Sequence, residues 1–209
     1  MTPRRRVHRP EPHLSTTFRR AALAAALGLV LATIMAGPET AAADDPPPGS
    51  IRFVAKNLVA TANGRFTMWR IGRATIDEAD PAKSSVEVVV DLSSIDTENR
   101  KRDDHLRSAD FFDVARYPSA TAALRGFRAD GPDRFVADVT LDLHGHQKSF
   151  PMTFEVVDRS RRRVRGETKL NRMDWKIGEP HSALNPLSID EEVVLTVEAT
   201  VPAATAAAD

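Results

Sequence analysis

Phe135-Val136-Ala137-Asp138-Val139-Thr140-Leu141-Asp142-Leu143-His144 is the stretch that decides the fold. Phe135, Ala137, Val139, Leu141 and Leu143 alternate with Asp138, Thr140, Asp142 and His144, a period of two that gives a strand one oily and one wet face. The pattern recurs in Val86, Val88, Val90 and Leu92, in Phe150, Met152, Phe154 and Val156, and in Val164, Gly166, Thr168 and Leu170. A last strand carries Val193, Leu195, Val197, Ala199 and Val201, and shorter candidates at 51–58, 66–76 and 120–127 bring the count to about eight. Eight antiparallel strands closing on themselves make a barrel that is either filled by side chains or just wide enough for one slender ligand. Alternation leaves that choice open.

Working outward, hairpin signals separate these strands: Asn63-Gly64, the 77–85 turn with Pro81, Asp130-Gly131-Pro132, and Gly145. Connections this short favour antiparallel neighbours. Residues 96–118 break the rhythm. Residues 99–107 read as one short helix, and Ser108 reads as the cap of a second whose Phe111, Phe112 and Val114 plug an opening. The expectation is therefore an all-β, eight-stranded antiparallel barrel with a short helical insertion at about 97–115.

The chain begins differently. Arg4, Arg5, Arg6, Arg9, Arg19 and Arg20 precede an uncharged run at 21–36, then Gly37-Pro38 and Ala41-Ala42-Ala43. That order is an export signal peptide, cleaved after Ala43, and the run is shorter than the about 20 apolar residues of a spanning helix. The expected organisation is a leader at 1–43, a Pro-rich spacer at 44–49, the barrel at 50–202 and a flexible tail at 203–209. The product is expected to be periplasmic or secreted, with the general or the twin-arginine route left open.

Composition excludes several classes. Among 209 residues there is no cysteine, which removes disulfides, thiol catalysis and cysteine-ligated metals. Lys plus Arg equals Asp plus Glu, and removing the leader's six arginines and two glutamates leaves a net charge of −4, against a nucleic-acid partner. The Arg159 to Arg163 run, beside Asp158, reads as a solvated hairpin tip.

Catalytic signatures are scarce: no Gly-x-Ser-x-Gly, phosphate-cradling Gly-x-x-x-x-Gly-Lys, Gly-x-Gly-x-x-Gly or His-Glu-x-x-His occurs. His144 and His146 would share one side of a strand, with His105 and Asp103 as further metal ligands, but two histidines beside a turn glycine fit hydrogen bonding at the barrel rim better. The charged segment at 100–107 allows ion pairs along a helix surface, and no nucleophile sits beside its Asp103-His105 pair. No catalytic residue, metal or cofactor is expected.

The run Arg102-Asp103-Asp104-His105-Leu106-Arg107-Ser108-Ala109-Asp110-Phe111-Phe112-Asp113-Val114-Ala115-Arg116-Tyr117-Pro118 closely resembles the signature segment of the YceI-like family of exported isoprenoid-binding proteins. Ser93-Ser94-Ile95-Asp96-Thr97, Asp142-Leu143-His144-Gly145-His146-Gln147-Lys148 and Leu170-Asn171-Arg172-Met173-Asp174-Trp175-Lys176-Ile177-Gly178 agree in order. The resemblance implies a lipocalin-like barrel with a tunnel holding a long polyisoprenoid or similar amphiphile. It departs at Asn57, where family members commonly carry histidine, and at Ser119-Ala120-Thr121-Ala122-Ala123-Leu124, where smaller side chains would widen the tunnel.

Strand parity then gives an expected apolar wall of Phe53, Met68, Val88, Val90, Val139, Leu141 and Phe154, with Phe112 and Trp175 near a mouth. A carrier or sequestering protein for a long-chain lipid is the leading expectation. The alternatives are a solid barrel acting as a stress-response or interaction domain of the envelope, and a His-dependent metal enzyme. The sequence leaves open a homodimer and a transient contact with another envelope protein.

Overall fold

Each alternating segment forms a strand in the computed structural model, which describes residues 47–185 and 187–203. The leader assigned to 1–43, the first residues of the spacer and most of the 203–209 tail lie outside the described residues. The strands are β1 (Gly49–Lys56), β2 (Thr61–Phe66), β3 (Trp69–Thr75), β4 (Ser85–Asp91), β5 (Ile95–Asp96), β6 (Ser119–Ala129), β7 (Arg134–Leu143), β8 (His146–Asp158), β9 (Arg163–Asn171) and β10 (Glu192–Thr200). They form one antiparallel sheet in the order β3-β4-β6-β7-β8-β9-β10-β1-β2-β5, curled into a barrel.

Closure follows from chain continuity. The two ends of the sheet are β3 and the β2-β5 pair, yet β2 and β3 are consecutive, joined only by Thr67 and Met68. That corner is stitched to the β4–β5 connection: Thr67 N–H donates to the Ser94 carbonyl at 3.1 Å and Asp91 N–H to the Met68 carbonyl at 3.0 Å. Met68 N–H donates to the Ser94 hydroxyl at 3.0 Å. β2 and β3 thus run as one bent strand that joins the two ends of the sheet at this corner, while β3 itself pairs with β4 alone.

All eight expected strands are present, and two more appear. Asn63-Gly64 is not a hairpin but lies inside β2; the turn falls at 57–60, where the Asn57 side chain accepts from the N–H groups of Val59 and Ala60 at 3.0 and 2.8 Å. Gly64 serves a close approach: a Cβ there would come within 2.2 Å of the Phe53 ring on β1. The second extra strand is the two-residue β5.

The insertion holds one helix, α1 (Arg100–Arg107), with Asn99 accepting from Arg102 N–H at its N-terminus. The second helix expected after Ser108 is absent. Ser108 instead terminates α1, its N–H donating to the His105 carbonyl, and the chain descends in tight turns through Asp113 at φ 44°. The N–H groups of Phe112, Asp113 and Val114 turn back to the carbonyls of Leu106, Ser108 and Arg107 instead of continuing a helix.

The core is Ala137, Val139, Met152, Phe154 and Val164, packed by Leu124, Phe127, Phe135 and Val197. Phe135 stacks on Phe154 with ring centroids 5.3 Å apart. We call the barrel end that carries α1 the upper end and the opposite end the lower.

Candidate functional site

Several polar residues of the 93–118 segment bind backbone. Arg107 donates to the carbonyls of Ser93 and Ile95 at 2.8 and 2.7 Å, and Arg102 to the Thr97 hydroxyl and carbonyl, both at 2.8 Å. Buried Asp103 accepts from the Thr97 N–H and hydroxyl. These bonds clamp α1 and its descending turn to β5, so that Phe111 and Phe112 face the barrel's upper end. Phe112 meets Phe66 edge-on at 6.0 Å, and Phe66 lies 5.8 Å from Phe53.

A second clamp closes the same end. Arg172 is buried, and its guanidinium donates to the carbonyls of Ile177, Glu179, Ile189 and Asp190. Burial pulls its pKa below the usual arginine range while the nearby carboxylates of Glu191, Asp190 and Glu179 oppose that shift, so the group stays charged. Trp175, 2% exposed, is fixed beside it: its indole N–H donates to the Leu141 carbonyl at 3.3 Å and its own carbonyl meets His144 Nδ1 at 3.0 Å.

The interior is hollow in two places. An upper cavity of about 160 Å³ is walled by Phe53, Val90, Phe112, Leu141 and Trp175, among others, so three expected wall residues and the two expected mouth residues come together there. A larger lower cavity of about 520 Å³ takes Val88 and Phe154, with Trp69, Leu124, Phe135 and Val197. Along β7 the inward positions run from Phe135 in the lower cavity to Leu141 in the upper, and buried Ala137 and Val139 lie between them. Val139 is therefore packed core at a waist and lines neither cavity. Charged residues reach the lower cavity from its mouth, Arg128 from the end of β6, Arg134 from the start of β7 and others from the loops after β3, β6 and β8. The upper cavity shares Ala55, Phe111, Arg172 and Ile189 with an outer, more polar hollow lined by Lys101, Arg102 and His105.

Met68 departs from expectation: it is 48% exposed and lines neither cavity, while its neighbour Trp69 is 5% exposed and points inward. The cause is a bulge in β3 between Ile71 and Arg73. One extra residue swaps the faces of a strand, so Trp69 and Ile71 line the cavity before the bulge and Ile76 after it. A bulge between Arg125 and Arg128 likewise moves the inward set of β6 from Leu124 to Phe127. Sequence reasoning missed Trp69, Ile71 and Phe127; the exposed-type Arg70 between Trp69 and Ile71 was the available signal for β3.

The histidines do not converge. His144 and Gly145 form a two-residue hairpin turn with φ of 52° and 72°, which ends β7 before the two imidazoles share a strand face. His144 bonds to Trp175 as above, and exposed His105 lies 3.5 Å from Asp110. Among the described residues no group of three His, Asp or Glu side chains is placed to hold a metal ion. The Arg159 to Arg163 run is the β8–β9 hairpin tip, with Arg159 paired to Asp133 and Arg163 to Glu198.

The chain is similar to several known proteins. It is 33% identical over 136 residues to Protein YceI of Escherichia coli O17:K52:H18, covering 61% of this chain and 68% of that protein. It is 31% identical over 134 residues to a UPF0312 protein of Azotobacter vinelandii. Among solved structures, Burkholderia cenocepacia BcnA superposes with a TM-score of 0.65 at 18% identity, covering 72% of this chain and 94% of that one. A polyisoprenoid binding domain from Saccharophagus degradans, implicated in plant cell wall breakdown, superposes with a TM-score of 0.53 at 22% identity, covering 74% and 96%. The YceI-like domain signature matches residues 44–201, and with the same barrel beneath it the chain belongs to the YceI-like family.

Proposed function

We propose that this protein is an exported binding protein that holds a polyisoprenoid or similar long amphiphile inside its barrel and carries out no catalysis. The observation that carries the reading is the lower cavity: about 520 Å³, walled by apolar strand side chains, within the roughly 300–1,000 Å³ typical of ligand pockets. A chain of isoprene units is nearly insoluble and needs a dry, narrow sleeve, and each buried methylene contributes about 0.8 kcal/mol. Ordering the chain offsets part of that gain. The hollow interior favours a carrier over a solid-barrel interaction domain, and the superposition on a domain described as polyisoprenoid binding supports the same ligand class.

Export rests on the basic, apolar and small-residue order of residues 1–43. Among the described residues no helix is long and apolar enough to cross a membrane. The test is thermal: delipidated protein titrated with a prenyl lipid is expected to melt at a temperature that rises with ligand concentration, as any ligand selective for the native state requires. An unchanged melting temperature at saturating lipid would overturn the reading.

A further inference from the structure

Two strands pass from one cavity to the other with no filled position between them. On β4, Val88 lines the lower cavity and Val90, the next inward residue, lines the upper; on β10, Val197 and Leu195 do the same. Successive inward residues of a strand stand about 7 Å apart, so at these strands the waist is one side-chain layer thick. β7 and β8 supply that layer: buried Ala137, Val139 and Met152 pack together and line neither cavity. Met152 reaches across to β9, where its methyl lies over Gly166; a Cβ on that glycine would come within 2.7 Å of it. Phe150, paired with Val139 across the β7–β8 ladder, meets Trp175 edge-on at 6.5 Å, which ties the layer to the clamp of the upper end.

We propose that this layer is a stop that sets the length of the bound chain, with Met152 as its specificity-determining residue: the lipid enters hydrocarbon first through the lower mouth, ends against Met152 and leaves its polar end at the charged rim. The assignment rests on the binding function proposed above and gives its ligand a size. A methylene takes about the room of a water molecule, whose share of a liquid is about 30 Å³, so the lower cavity of about 520 Å³ holds about 17 carbons, or about three to four isoprene units. The upper cavity, at about 160 Å³, adds about one unit more, and only where the layer opens. A longer chain stopped at the waist hangs its surplus from the mouth into water. Each exposed carbon then costs about fourfold in affinity, the 0.8 kcal/mol of one methylene. Met152 is unbranched and apolar, so truncating it empties the waist without leaving a polar group unpaired.

The experiment offers the delipidated protein phosphatidylcholine vesicles that carry equal amounts of the prenyl alcohols of three, four, five and nine isoprene units, and identifies by native mass spectrometry what the protein extracts. Because every chain starts in a bilayer, hydrophobicity alone favours none of them, and fit decides. The wild type is expected to take the three- and four-unit alcohols over the five- and nine-unit ones by about tenfold or more. Met152→Ala, which joins the two cavities, is expected to admit the five-unit alcohol and to erase most of that preference against it. Val139→Ala opens the same layer and gives the same readout if Met152→Ala fails to fold. Equal or greater uptake of the nine-unit alcohol by the wild type, or a length preference that the waist variants leave unchanged, would overturn the assignment and leave the carrier reading standing. Extraction of none of the four alcohols by the wild type would remove both.

Discussion

Replacing Arg172 with methionine removes the upper clamp while keeping a side chain of similar length. Four carbonyls, of Ile177, Glu179, Ile189 and Asp190, lose their donor at once. A buried acceptor left unsatisfied costs about 1–3 kcal/mol. The bond to Ile177 is fully buried and the other three are partly buried, so water recovers some of the loss, and the net cost is about 3–4 kcal/mol. At roughly 2–4 °C per kcal/mol for a domain of this size, the melting temperature should fall by roughly 6–16 °C. Thermal unfolding followed by circular dichroism reads this directly. Arg172→Lys, which keeps the charge but not the planar fork, should recover only part of the loss. Because the same clamp seats Trp175 against the upper cavity, bound lipid should also leave faster from Arg172→Met. A melting temperature within about 2 °C of wild type, well under the 3 kcal/mol expected, would refute the clamp.

Three further outcomes are expected. Gly64→Ala sets a Cβ 2.2 Å from the Phe53 ring and should destabilise by about 1–3 kcal/mol, with Phe53→Leu restoring part of it in chemical denaturation. Leu141→Arg or Phe154→Asp places a lone charge in an apolar interior and should reduce both soluble yield and lipid retention; normal values for both would show that these side chains face outward. Asp96 is held below its usual pKa by the Glu98 N–H and Arg65, Asp138 by Arg128, and Asp158 by the Ser160 hydroxyl and the Arg161 N–H. A lowered native pKa means stability present above the ordinary carboxylate value and lost as pH falls through the native one. Urea midpoints should therefore decline below about pH 4, and since all three groups are solvent-accessible, high salt should shrink the decline.

Period-two alternation made the strands legible, because a half-buried strand must bury every second side chain; β4, β7, β8, β9 and β10 follow it closely. What stayed hidden was local geometry that alternation does not encode. The bulge in β3 reversed the face at Met68, and Asn63-Gly64 looked like a turn although its glycine only makes room for Phe53. Ser108 ends a helix rather than starting one, since the following residues turn back at Asp113 instead of continuing. Phe53, Val90, Phe112, Leu141 and Trp175 nevertheless meet around one cavity, as wall and mouth residues of a barrel should. The waist could not be read, because Val139 and Ala137 carry the same alternation as the cavity walls on either side. Only three-dimensional packing tells a filled layer from an open one.

The central claim is that the barrel carries a lipid, and native mass spectrometry of the protein purified from its native cells tests it most directly. The account predicts one long-chain lipid per barrel, released on denaturation. A protein that repeatedly arrives with no added mass, and that yields nothing to organic extraction, would contradict it.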